Sequence, residues 1–144
     1  MKLSTKSRYG VRAILEIARD YERTPTKRKN IVAKQNISDA YLENILIMLK
    51  NNGIIDTVRG ARGGYVLSRP PAAITLLEIV RALEGSIAPV DCLDNKSLCV
   101  EVPWCSARKV WKQLYDSRVA VLEKTTLQDL LDSDETATKN DYCI

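Results

Sequence analysis

A chain of 144 residues with 45% hydrophobic and 28% charged side chains has room for one compact domain, or a small domain with an appendage, and not for a two-domain enzyme with a deep cleft. Its apolar runs are too short and too broken by charge to span a membrane, and its start lacks the apolar stretch of a signal peptide; we therefore expect a cytoplasmic protein with reduced thiols. The net charge of +4 is uneven, since residues 1–69 carry 14 Lys and Arg against 6 Asp and Glu while residues 70–144 carry 8 against 12, so the first half suits a polyanionic partner.

The stretch SRYGVRAILEIARDY offers Ser7 as an N-cap and sets Val11, Ile14, Leu15 and Ala18 on one helical face. Pro25 ends that pattern. The basic triplet Lys27-Arg28-Lys29 leads to NIVAKQN, a two-turn helix with Asn30 as its cap. A third helix follows a tight turn at Asn36-Ile37: Ser38 is the N-cap, Leu42, Ile45, Leu46 and Leu49 recur at helical spacing, and Gly53 stands where a left-handed C-terminal cap is wanted. These two helices form a helix-turn-helix, and the second of them is the candidate reader of a DNA groove.

Ile54 to Val58 and Tyr65 to Ser68 are β-prone runs that bracket RGARGG, a basic hairpin in the position of a wing. Pro70-Pro71 closes the unit. Thr75 and Glu78 then have capping-box spacing ahead of a helix ending at Gly85. Residues 86–105 lack helical period and read as a loop. A helix of about 18 residues starts near Ser106, apolar on more than one side and so suited to pack on its own domain and on a second subunit. TLQDLL adds a final turn, and the polar DSDETATKND reads as disordered. The expected architecture is mainly α with a small β-hairpin: a winged helix-turn-helix domain (1–85), a cysteine loop (86–105), a dimerisation helix region (106–131) and a disordered tail (132–144).

STKSRYGVRAILEIA, the long stretch from ISDAYLENILIMLKNNG through VRGARGGYVLSRPP to ALEG, and CSARKVWKQL together resemble the iron-sulfur cluster regulator family, the Rrf-two superfamily with its IscR-, NsrR- and CymR-type members. The resemblance covers roughly residues 1–130, and VRGARGGYVLSRPP followed by ALEG is its most specific part. It implies a homodimeric transcription regulator that binds a double-stranded DNA operator and carries an iron-sulfur cluster, with no small-molecule substrate, no membrane and no catalysis. It places Ser38, Tyr41 and Glu43 at the reading helix's DNA-contacting positions and Arg59 at the wing arginine. Glu43 accepts from cytosine N4 and repels a base that offers no donor; Arg59 and Arg62, beside Gly60 and Gly63, suit a narrow minor groove. Lys27, Arg28 and Lys29 are unusual for the family, and are available either for phosphate contacts or for solvent.

Three of the four cysteines, Cys92, Cys99 and Cys105, fall within fifteen positions of a chain without histidine. A structural zinc site wants four ligands and commonly CxxC pairs, and a dithiol redox enzyme wants CxxC; both are absent. Iron-sulfur clusters accept cysteines at looser spacing and one other ligand, so three thiols and a fourth group form the most compatible reading, a 2Fe-2S cluster being preferred and 4Fe-4S left open. The fourth ligand departs from the family pattern. Arg108 stands where many members have histidine, and Arg8 where others have an acidic residue. The remaining candidates are Cys143, Asp91, Asp94, Glu101 or an exogenous thiol. A cluster-free thiol or partner-protein sensor, as in the CymR branch, is the alternative, and a small electron-transfer protein a third.

Overall fold

The computed structural model describes residues 3–140. Six helices and one hairpin follow one another as α1 (Thr5–Arg19), α2 (Arg28–Gln35), α3 (Asp39–Asn51), β1 (Ile55–Val58), β2 (Gly64–Leu67), α4 (Leu76–Glu84), α5 (Ser106–Lys124) and α6 (Leu127–Asn140). Three-residue 3-10 turns at Pro71–Ala73, Asp91–Leu93 and Lys96–Leu98 join them. The fold is a winged helix, as expected.

Helix α1 begins earlier than the sequence suggests. Ser4, not Ser7, is its N-cap, and the Ser4 hydroxyl accepts from the Ser7 amide. Ser7 lies inside the first turn, buried, and its Oγ donates to Glu84 Oε1 at 2.5 Å, tying α1 to the end of α4. Helix α2 likewise starts at Arg28 after Lys27, whose side chain makes no capping bond to the helix, so Asn30 is an interior residue. Asn36 takes φ 48°, a left-handed angle that asparagine tolerates, and so makes the tight turn into α3. At the other end of α3, Ile54 N donates to Leu49 O and Gly53 N to Lys50 O, the paired bonds of a Schellman cap, with Gly53 at φ 67°.

The core gathers Ile14 and Ile17 from α1, Ile31 from α2, Leu42, Ile45, Leu46 and Leu49 from α3, Ile55 and Leu67 from the hairpin, and Ile79 and Leu83 from α4. Each such side chain contributes about 1.5–3 kcal/mol when fully buried. Leu127 of α6 is also part of this core and fully buried. The polar segment expected to be a disordered tail from residue 132 is therefore a correction: the chain turns back at Thr126 and α6 runs to Asn140 against α1. A reciprocal cap starts it, the Thr126 amide donating to Asp129 Oδ2 at 2.8 Å and the Asp129 amide to Thr126 Oγ1 at 3.2 Å. Arg19 then pairs with Asp134 at 2.6 Å. Cys143 lies outside the described residues.

Among the described residues one charged side chain is buried in this frame. Glu16 is 4% exposed and accepts from Arg19, from Lys34 at 3.0 Å and from Gln35 at 2.6 Å, which fixes α2 against α1. Burial by itself would raise its carboxyl, but the bonds and charge from Lys34, Arg19 and Gln35 outweigh that and hold it below the ordinary value. A depressed folded value makes the contribution to stability complete above the unfolded carboxyl's range and lost as pH falls through the folded one. In thermal melts, Glu16→Gln is expected to cost about 1–3 kcal/mol at neutral pH, and the wild type's advantage should shrink on acidification. Gly10 faces Leu83, whose Cδ1 would lie 2.2 Å from an added Cβ. Gly10→Ala should therefore lower the melting temperature by several degrees despite alanine's better helix propensity, about 1–3 kcal/mol of overpacking against about 1 kcal/mol gained.

Candidate nucleic-acid interface and cysteine loop

The N-terminal end of α3 is open to solvent. Ser38 and Glu43 are exposed, Tyr41 is half-buried, and Ser38 Oγ accepts from the Tyr41 amide at 3.3 Å. Tyr41 packs against Tyr9 of α1 in a T-shaped pair, centroids 6.2 Å apart, which braces the start of α3 while Tyr41 stays half-buried. Ser38 thus caps the helix, and its exposure leaves it free to meet a phosphate as well.

The wing is a two-stranded antiparallel hairpin with Ile55 opposite Leu67 and Val58 opposite Gly64. Arg59 and Arg62 are both exposed at its tip. Gly60 at φ 106° makes the turn, and Gly63 lets the chain close, since a Cβ there would lie 2.2 Å from Val58 O. The wing is stitched to the linker before α2: Thr26 and Tyr65 exchange two backbone bonds of 2.9 Å, and Lys27 Nζ donates to Ala61 O at 3.2 Å. Arg28 reaches α3 instead, with Nε 2.9 Å from Asp39 and Nη1 2.8 Å from Glu43. Two members of the basic triplet are thus engaged within the protein, a role that charge counting did not suggest.

The three loop cysteines lie at the opposite end of α4. Cys92 is half-buried in the turn Asp91–Leu93, Cys99 is exposed, and Cys105 is half-buried as the N-cap residue of α5. Among the described residues, no three His, Cys, Asp or Glu side chains gather into a group that could hold a metal ion. As donors, three thiols suit iron-sulfur ligation in kind but fall one short in number. Arg108 occupies the position where a fourth ligand was sought, and its Nη2 donates to the Cys92 carbonyl at 3.3 Å while its buried Nε has no partner among the described residues. Of the other candidates, Asp94 accepts from Ser86 Oγ. Arg8 is exposed and donates to Thr5 Oγ1 at 3.1 Å.

Helix α5 leaves the core after one buried contact. Leu122 joins Leu77, Val80 and Ile87 in a small second cluster, and Arg118 Nη1 donates to Ile87 O at 2.6 Å. Toward its N-terminus Val110 (51%), Leu114 (40%) and Trp111 (39%) are exposed, as are Trp104 and Val100 in the adjoining loop.

Comparison with known proteins agrees with this frame. The family model of Rrf2, described as an iron-dependent transcriptional regulator, matches residues 3–133. The chain belongs to the Rrf2 family. It is 42% identical over 130 residues to the HTH-type transcriptional regulator CymR of Bacillus subtilis, covering 90% of this chain and 89% of that one. Among solved structures, CymR, the global cysteine regulator of B. subtilis, superposes with a TM-score of 0.78 at 39% identity over 92% of this chain and 98% of that one. T. potens IscR superposes with a TM-score of 0.79 at 34% identity over 95% and 90%. As an Rrf2 protein the chain is a DNA-binding transcription regulator and not an enzyme. No described helix is long and apolar enough to cross a membrane.

The Ser38 cap is separable from any DNA contact. Ser38→Ala should cost about 0.5–2 kcal/mol in a denaturant titration, whereas Ser38→Asp should retain the cap and weaken DNA binding by repelling phosphate.

Proposed function

We propose that this Rrf2 protein acts in the cytoplasm as a homodimer that lays α3 into the major groove of a double-stranded DNA operator and the wing into the adjacent minor groove, and that the cysteine loop sets its affinity. Ser38, Tyr41 and Glu43 make the major-groove contacts; Arg59 and Arg62, with the backbone around Gly60 and Gly63, meet the minor groove and its phosphates. The observation that carries the reading is one of position. Cys105 is at once a sensing thiol and the first residue before α5, and the apolar side of α5 that starts there is uncovered in the single chain. A second copy would cover Val110, Trp111 and Leu114, joining two loops and two reading heads across one helix pair.

The thiols Cys92, Cys99 and Cys105 would hold an iron-sulfur cluster, 2Fe-2S in preference to 4Fe-4S, completed by a donor from outside the loop. When bound, such a cluster supplies a redox-active and oxygen-sensitive centre. The chain's own part is mechanical: Arg108 grips the Cys92 carbonyl and Arg118 the Ile87 carbonyl, so a rearranged loop pulls on α5 at two points. Through the Leu122 contact with Leu77 and Val80 this shifts the angle between α5 and the DNA-binding half. The family description as iron-dependent supports this reading.

A cluster-free thiol sensor is the second reading. It is favoured by the exposure of Cys99 and by the absence, among the described residues, of a gathered metal group. Anaerobic purification with a visible absorption spectrum and iron and sulfide analysis decides between the two. Visible absorption with stoichiometric sulfide, lost in Cys92→Ser or Cys105→Ser, supports the cluster; colourless protein after reconstitution, with DNA affinity that changes on thiol oxidation, supports the second reading. Independently, Arg59→Ala should reduce operator affinity and lower the salt dependence by about one counterion per subunit.

A further inference from the structure

The first turns of α3 carry two carboxylates, Asp39 and Glu43, one helical turn apart and both exposed. Like charges at that spacing repel one another, and the phosphates of a bound duplex would repel both. Arg28, the first residue of α2, answers both of them, with Nε 2.9 Å from Asp39 Oδ1 and Nη1 2.8 Å from Glu43 Oε1. A guanidinium holds its donors in a rigid fork, so this bridge gives Glu43 a direction as well as a counter-charge. The three side chains are 33%, 56% and 51% exposed, and a surface pair of this kind adds little to stability. Its effect lies in what the reading helix presents to a base. Next to it Lys27 is tied to the wing through Ala61 O, so the start of α2 is held from both DNA-facing elements.

We propose that Arg28 is a specificity-determining positioning residue: it compensates the charge of Glu43 and thereby widens the set of base pairs that Glu43 tolerates. The inference rests on the proposed reading of Glu43 as a base contact. A carboxylate engaged through one oxygen keeps lone pairs with which to accept from cytosine N4. Opposite a base without a donor, the same carboxylate remains satisfied by Arg28, and the penalty for the mismatch falls. Without Arg28, Glu43 and Asp39 face the groove uncompensated, and only a cytosine donor relieves the former. Loss of Arg28 therefore narrows the operator preference while weakening binding overall.

The test is selection from a randomised duplex DNA library by the full-length chain, with sequencing of the bound fraction, for wild type, Arg28→Ala, Arg28→Lys, Glu43→Ala and the Arg28→Ala/Glu43→Ala double variant, each first checked by thermal melt. We expect Glu43→Ala to erase a cytosine preference at a defined operator position. Arg28→Ala should strengthen that preference by about tenfold at the same position, Arg28→Lys should fall between, and the double variant should match Glu43→Ala. A uniform loss of affinity in Arg28→Ala, with base preferences unchanged or relaxed, overturns the role of Arg28 while leaving Glu43 a base reader. If Glu43→Ala alters no position, the reading of Glu43 falls and this inference with it, a result distinguishable from the first. An Arg28→Ala chain that melts far below wild type transfers the decision to Arg28→Lys, whose unchanged preference also overturns the proposal.

Discussion

Helix α4 is nine residues long and buries side chains in two directions. Ile79 and Leu83 enter the main core with α1 and α3, while Leu77 and Val80 form the small cluster that receives Leu122 of α5. Its position is over-determined. The Thr75–Glu78 capping box holds its start, with reciprocal bonds of 2.9 and 3.2 Å, and Arg69 pairs with the same Glu78. At its end Glu84 accepts from the Ser4 amide and the Ser7 hydroxyl. Gly10 allows α1 to approach Leu83 at a distance no other residue would permit. The DNA-binding half and α5 meet on this short element, where Leu122 packs on Leu77 and Val80 and the Leu76 amide donates to Thr125 O, so the orientation of α4 bears on both.

The parts of the fold that were legible in the sequence are those where one local signal and one packing demand coincide. The Ser38 cap, the 42-45-46-49 apolar series and Gly53 all state the same helix, and the structure has it with a Schellman end. Thr75, Glu78 and Gly85 do the same for α4. The start of α1 differs from the sequence expectation because two serines compete as caps there, and the tertiary bonds of the Ser4 amide and the Ser7 hydroxyl to Glu84 favour Ser4. Of the C-terminal helix, the sequence signals only the first turn, TLQDLL, and the stretch from residue 132 reads as a tail because its composition is polar. Its stability comes from Leu127 and Leu131 packing on a distant segment and from Arg19 reaching Asp134, neither of which has a local trace.

The functional surface divides in the same way. A basic hairpin after a helix-turn-helix is recognisable from order and spacing alone, and Arg59 and Arg62 stand at its exposed tip. Charge counting placed Lys27 and Arg28 among possible phosphate contacts, yet both are committed within the protein, because a count of cations says nothing of the carboxylates that a neighbouring helix brings to meet them. For the thiols, sequence spacing supplied the donors but not their convergence. Arg108, a substitution visible in the sequence, gains meaning only from its hold on the Cys92 carbonyl.

The two bonds between Thr26 and Tyr65 give the wing a third, one-residue strand that belongs to the linker in front of α2. With Arg28 joined to α3, the wing, the linker and α3 are tied into one block. In the proposed homodimer such blocks would act like the jaws of a caliper. On that proposal the gap between them depends on the α4–α5 joint, where Leu122 packs on Leu77 and Val80. The distance between the half-sites such a dimer would bind then follows from that joint, whereas the proposed base contacts lie inside the block, so the two properties would be free to change independently.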